Sequence, residues 1–149
     1  MPAFFLSFLL QKNNPKMENR LKKLEQILKN DRFAVHNDIQ LISIGKGEAQ
    51  AELLISEKHL NGVNIIQGGA LFTLADFAFA AASNSHGRIA VASNASINFF
   101  KAVSSGKLTA SAKEINSGKT LASYTVDITD EDGTLIAFFS ATAFLKGEY

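Results

Sequence analysis

Hydrophobic and polar positions change their spacing along this chain in a way that separates helix from strand. From Met17 the apolar residues Leu21, Leu24 and Leu28 recur every three to four positions with charges between them, the pattern of an amphipathic helix. Residues 39–44 and 48–55 read as two strands of a hairpin turned by Gly45-Lys46-Gly47. Residues 68–83 then form a long helix. Ala70, Leu71, Leu74, Ala75, Phe77, Ala78, Ala81 and Ala82 leave it no wide polar face, which predicts burial on nearly all sides. Small alanines would let a sheet approach it closely. Strands are expected again over 88–101, 107–115, 120–129 and 134–145, separated by Ser104-Ser105-Gly106, Asn116-Ser117-Gly118 and Asp130-Glu131-Asp132-Gly133. Alternation is clearest where Leu121, Ser123, Thr125 and Asp127 interleave with Ala122, Tyr124, Val126 and Ile128. Four strands joined by tight turns predict an antiparallel meander, extended by the first hairpin. The expected class is α+β, with a curved antiparallel sheet covering one long central helix.

A length of 149 residues fits one domain with a real core, and 46% apolar residues argue for a compact fold over disorder. A net charge of +1 gives no broad electrostatic footprint for nucleic acid. The absence of cysteine excludes disulfides, thiolate metal sites and thiol nucleophiles, and His36, His59 and His86 show no zinc spacing, so no metal is expected. His59 and His86 read as exposed loop residues, and His36 lies near the end of the first helical region.

The N-terminus is treated separately. Phe4-Phe5-Leu6-Ser7-Phe8-Leu9-Leu10 is oily, but no basic segment precedes it and no small-residue cleavage site follows. It is too short to span a bilayer, and no membrane association is expected. Residues 1–16 are read as an extension upstream of a natural start at Met17, with a single domain over 17–149. A flexible arm packing on a partner subunit is the other reading.

Candidate chemistry concentrates between Asn61 and Asp76. Gly68-Gly69 opens the buried helix, where backbone N–H groups lack intrahelical acceptors and favour negative charge. Asp76 is a carboxylate in an otherwise oily helix, costly unless it has a task or a hidden partner. It shares one narrow stripe with Thr73 and Ala80, which could open toward a cavity or a second subunit. Asp76 lies eight residues beyond Gly68, about 12 Å along the axis at 1.5 Å per residue. If both serve one reaction, the acid must come from a second copy of the helix, packed antiparallel about a two-fold axis. That chemistry requires at least a dimer. The plain structural alternative is a buried carboxylate satisfied by backbone N–H groups or by a lysine.

The run from Asn61 to Asp76, with Gly-Gly-Ala-Leu-Phe-Thr-Leu-Ala-Asp at its end, resembles the signature of hotdog-fold acyl-CoA thioesterases of the phenylacetate-pathway (PaaI-like) group. The likeness extends over roughly residues 18 to 146, including Ala78-Phe79-Ala80, the Ser83-Asn84-Ser85-His86-Gly87 segment and Gly118-Lys119-Thr120. The resemblance implies that the Gly68 N–H polarises the thioester carbonyl. It implies that Asp76 attacks the thioester or activates water across the dimer interface, and that Asn61 positions the water or the thioester. Gly69 and Thr73 border the same site, and Ser93 and Asn94 on the following strand line it. Gly118 and Lys119 match a hairpin that lies near the coenzyme A nucleotide. Lys101, Lys107 and Lys119 read as solvated strand ends, with contact to a coenzyme A phosphate as the other reading. Phe99 and Phe100, being consecutive, are expected on opposite sides of the sheet, and Phe72, Phe77 and Phe79 in the core.

One position departs from the family. Gln67 stands where the group usually carries histidine, and glutamine forms similar hydrogen bonds but does not titrate near neutral pH. We read its role as orientation. The missing histidine also argues against a hotdog dehydratase. The implied activity is hydrolysis of aryl, arylacetyl or medium-chain acyl-CoA, with no cofactor beyond the coenzyme A of the substrate, in a cytoplasmic homodimer or homotetramer. The alternatives are a catalytically weak acyl-CoA-binding module and an assembly protein; neither explains the retained Asp76 and glycine pair as well.

Overall fold

The computed structural model describes residues 14–149; the oily run at Phe4–Leu10 lies outside the described residues. Helix α1 spans Pro15–Lys29. The Asn14 side chain caps it by accepting from the Lys16 and Met17 amides at 3.2 Å each, and Pro15 occupies the first turn, where its missing N–H costs nothing. The helix thus begins two residues before Met17. Leu24 and Leu28 are buried and Leu21 packs against the core, as the spacing predicts. A short helix α2, Arg32–His36, follows, capped by Asp31 accepting from the Ala34 amide at 2.9 Å.

Strands β1 (Gln40–Gly45) and β2 (Glu48–Leu54) form the expected hairpin. Gly47 turns it at φ +74°, and a Cβ there would meet Glu114 at 3.1 Å, so this position requires glycine. Helix α3 spans Gly68–Asn84. Strands β3 (Arg88–Phe99), β4 (Lys107–Ser117), β5 (Leu121–Thr129) and β6 (Leu135–Glu148) complete one six-stranded antiparallel sheet.

The order across the sheet is β1-β2-β4-β5-β6-β3. The expected meander therefore holds only for β4, β5 and β6. β3 pairs with β6 at the far edge, not with β4. The Ser104-Ser105-Gly106 signal ends a crossing segment rather than a tight hairpin. That segment is held to the loop before α3, because the Ile66 amide donates to Val103 O at 2.8 Å and the Ile55 amide to Gly106 O at 2.9 Å. The crossing carries Phe99, Phe100 and Lys101 to the start of α3.

The core lies between α3 and one face of the sheet, and α3 touches all six strands. Ala75, Ala78, Ala81 and Ala82 are buried against strands whose inward positions are also alanine, among them Ala49, Ala51, Ala110, Ala112, Ala122 and Ala143. Phe79 fills the centre edge-on to Tyr124, with ring centroids 5.5 Å apart. Phe77 and Phe79 are buried as expected, while Phe72 is partly open, its ring edge against Phe139 at 5.3 Å. No helix among the described residues is long and apolar enough to cross a membrane.

The C-terminal end of α3 is pinned by Ser85, fully buried, whose hydroxyl donates to Ala82 O and accepts from the Gly47 amide, both at 2.7 Å. Ser85→Ala leaves that buried amide without a partner and is expected to cost about 1–3 kcal/mol. The check is a lower urea midpoint with unchanged denaturant slope.

Candidate active site

The loop before α3 is built from its own side chains. The Asn61 Oδ1 accepts from the Val63 amide at 3.0 Å and the Ile65 amide at 3.3 Å, while the Asn61 amide donates to Ile65 O at 2.8 Å. Asn64 takes a left-handed conformation at φ +60°, which asparagine tolerates. The Asn61 carbonyl is therefore committed to shaping the loop, and its Nδ2 is left to donate outward.

His59 is buried at 2% exposure, contrary to its reading as an exposed loop residue. Its Nδ1 accepts from the Ser56 amide at 2.9 Å, so the proton sits on Nε2, which donates to Asn37 O at 2.9 Å. The His59 carbonyl accepts from the Gln67 amide at 2.8 Å. This ring and its backbone fix the path of the chain into α3. Lone histidines in polar segments give no burial signal, because the partner atoms are backbone groups of α2 and the loop.

Gln67 is the N-cap of α3, and its Oε1 accepts from the Gly69 N–H. That bond sets the orientation of the side-chain amide, and Nε2 has no partner among the described residues. It also removes one of the two glycine amides from service. The Gly68 N–H has no acceptor among the described residues and is the free donor at the helix start. The Phe99 ring lies over Gly68, so close that a Cβ at this position would stand 3.0 Å from Phe99 Cζ.

Two hollows flank this turn. One, of about 420 Å³, is bounded by Asn61, Ile66, Gly68, Leu71, Phe99 and Phe100. Phe99 and Phe100 thus share one hollow instead of facing opposite sides. Strand alternation stops at the end of β3, and the chain turns there. The second, of about 450 Å³, is bounded by Phe33, His59, Gln67, Gly69, Phe72 and Thr73. The Thr73 hydroxyl donates to Gly69 O at 2.8 Å.

Asp76 lies on the half-open stripe of α3 with Thr73 and Ala80, as the spacing predicts. Its carboxylate has no hydrogen-bond or ion-pair partner among the described residues, so the reading as a satisfied structural acid does not describe this chain. Burial raises its pKa above the usual carboxylate value, and the nearby Asp31 carboxylate pushes it the same way. Asp76 borders neither hollow. Within one chain the structure does not bring Gly68 and Asp76 together.

The remaining sequence candidates are dispersed. Ser93 and Asn94 lie at a bulge in β3, the exposed edge strand, and the Ser93 hydroxyl donates to Thr142 O at 3.1 Å. Gly118 and Lys119 form the turn between β4 and β5, at the end of the sheet that receives the C-terminus of α3. There His86, another residue read as exposed, is half-buried against Glu114, which also accepts from the Tyr124 hydroxyl at 2.6 Å. Burial and that carboxylate push the Tyr124 hydroxyl well above its ordinary pKa. Lys101 and Lys107 are strand-end lysines paired to Asp130 and Glu52.

The thioesterase superfamily model matches residues 63–137, which include α3 and its preceding turn. A protein of Archaeoglobus fulgidus is 38% identical over 133 residues, spanning 89% of this chain and 85% of its own length. The acyl-coenzyme A thioesterase PaaI of Escherichia coli is 38% identical over 111 residues, 74% of this chain and 79% of that protein. The structure of E. coli PaaI superposes with a TM-score of 0.83, covering 89% of this chain and 97% of that one at 31% identity. A Streptococcus pneumoniae thioesterase protein solved with coenzyme A superposes at 0.77, covering 83% and 97% at 25% identity.

The Asp76 environment has a measurable consequence. The native chain holds the Asp76 proton to higher pH than the unfolded chain does, so stability falls as pH rises from the ordinary carboxylate range through the raised value. Asp76→Asn removes this slope. It is expected to melt above the parent at pH 7, with the difference closing as pH falls below the ordinary carboxylate range; a pH-independent difference would count against the assignment.

Proposed function

The chain belongs to the thioesterase superfamily and is a hotdog-fold thioester hydrolase of the PaaI-like group, and on that premise we propose that it hydrolyses aryl, arylacetyl or medium-chain acyl-CoA at a site shared by two copies. The observation that carries this reading is the separation on α3 of an unspent donor, the Gly68 N–H, from an unpartnered acid, Asp76. They occupy one helix about 12 Å apart along its axis, and each lacks what the other offers. Two helices packed antiparallel about a two-fold axis place the Asp76 of one copy beside the Gly68 of the other, twice over. β3 offers the surface for such pairing, a twelve-residue strand at the sheet edge and mostly exposed. Ser93 and Asn94, on this strand, would then lie by the shared site.

Attack on the thioester carbonyl puts negative charge on its oxygen. The Gly68 N–H, aided by the macrodipole of α3, meets that charge without rearrangement, and the Nε2 of Gln67 is a second donor. Asp76 takes a proton from water as the hydroxyl oxygen bonds to the carbonyl carbon. Alternatively its carboxylate bonds to that carbon itself and water cleaves the resulting anhydride. In both routes the C–S bond breaks and the thiolate leaves as coenzyme A. The raised pKa of Asp76 makes it a stronger base than an ordinary carboxylate. Coenzyme A bound to the S. pneumoniae neighbour supports the substrate class, whose supply fits a cytoplasmic setting.

Thiol release followed with a thiol-reactive dye tests the reading, and the chain's lack of cysteine removes background. Asp76→Asn is expected to lower turnover about 10²–10⁴-fold while acyl-CoA still binds. Binding without turnover in the parent protein would instead establish an acyl-CoA-binding module. A protein that stays monomeric at assay concentration yet fully active would overturn the shared site.

Gln67→Glu separates the two duties of Gln67. A carboxylate still caps the Gly69 N–H but presents no donor to the oxyanion. The expected result is a fold kept intact by thermal melting and turnover reduced by about 10²-fold. Unchanged turnover would show that Gln67 only holds the turn.

A further inference from the structure

The turn between α1 and α2 runs beside the open stripe of α3. Phe33 borders one hollow together with Thr73, and Leu28 and Lys29 border another, of about 220 Å³, together with Phe77. Asp31 stands between Lys29 and Phe33 in the chain, and Asp76 between Thr73 and Phe77, so the two carboxylates belong to facing segments. Three hydrogen bonds hold Asp31 there. Its Oδ1 accepts from the Ala34 amide at 2.9 Å, its own amide donates to Leu28 O at 3.0 Å, and its carbonyl accepts from the Val35 amide at 2.9 Å.

Capping explains an oxygen at this position but not a charge. Asparagine caps as well as aspartate, and Asn14 does so for α1 with a neutral amide. Asp31 has no cation within ion-pair distance among the described residues. The other charged or titratable groups on elements packed around this part of α3 are Glu25 and Lys29 of α1, Arg32 and His36 of α2, and Lys58 and His59 of the preceding loop. Lys58 pairs with Asp38 at 2.8 Å, and both ring nitrogens of His59 are taken by the backbone. Tyr124, Glu114 and His86 bind one another toward the C-terminal end of the helix. Of these groups Asp31 is the one whose charge acts on Asp76, adding to the larger effect of burial.

We propose that Asp31 is a positioning residue for the hydrolysis, a negative charge fixed beside the open stripe of α3 that acts through Asp76. The proposal rests on the hydrolase reading above. A fixed anion next to Asp76 disfavours a second negative charge there. It therefore favours the step in which a water O–H bond breaks, the proton passes to Asp76 and the oxygen bonds to the carbonyl carbon. Asp31 itself forms and breaks no covalent bond.

Asp31→Asn tests this, because asparagine keeps the cap and removes the charge. The acid limb of kcat against pH is expected to move to lower pH. On that limb the variant outpaces the parent, and on the plateau it falls below it, because Asp76 is then the weaker base. Asp31→Glu restores the charge and is expected to move the limb back. A limb unmoved by Asp31→Asn, or moved equally by Asp31→Glu, would overturn the proposal. The stability gained by Asp76→Asn at pH 7 gives a second measure that needs no turnover, and it is expected to shrink in an Asp31→Asn background. An equal gain in both backgrounds would overturn the proposal whatever the activity. A diminished gain in a protein that hydrolyses no acyl-CoA would overturn the hydrolase reading and leave the coupling of the two carboxylates standing.

Discussion

Alanine faces alanine where α3 lies on the sheet. Ala75, Ala78, Ala81 and Ala82 meet strands lined by Ala49, Ala51, Ala110, Ala112, Ala122 and Ala143, all nearly or fully inaccessible. With side chains this small, the helix axis can sink against the strands, and larger residues at these positions would force backbone shifts. The close approach has two consequences for chemistry. It encloses the helix on most of its circumference, leaving the strip through Thr73, Asp76 and Ala80 open, and it fixes the direction in which the helix N-terminus points. The free amide of Gly68 and the carboxylate of Asp76 are positioned by packing rather than by contacts of their own.

That positioning places an acid where its charge is poorly solvated. Asp76 has no hydrogen-bond partner among the described residues, and Asp31 at the start of α2 adds repulsion. Such an arrangement lowers stability at neutral pH and persists where the strained group has work to do. The polar groups that shape the site are treated in the opposite way. His59 uses both ring nitrogens, Asn61 uses its carbonyl twice, and the Gln67 carbonyl caps the Gly69 amide. The scaffold is satisfied, whereas the Gly68 N–H and the Asp76 carboxylate have no partner among the described residues.

Gln67 illustrates how a substitution at a reactive turn can keep geometry while changing electrostatics. A histidine at this position titrates near neutral pH, whereas the glutamine amide is neutral throughout and is held by the helix it caps. The Gly68 N–H and the Gln67 Nε2, neither with a partner among the described residues, are thus donors of fixed protonation state.

The class of fold, the extent of α3 and the open stripe carrying Asp76 follow from the sequence, because each rests on local periodicity and on residues within a few turns of one another. The amphipathic face of α1 and the first hairpin were equally legible, since Leu21, Leu24 and Leu28 and the Gly45-Lys46-Gly47 turn are local signals. The expectation of a second copy also rests on local geometry, as the rise per residue separates Gly68 from Asp76. The order of strands was decided elsewhere. β3 pairs with β6, about forty residues further on, and a turn signal at Ser104–Gly106 does not say which neighbour a strand will find. The same crossing carried Phe99 and Phe100 together into one hollow, and distant backbone carbonyls hold the buried His59 and the Arg88 guanidinium. Hydrogen bonds between residues far apart in the chain leave no periodic trace, so only the tertiary structure could bring those groups together.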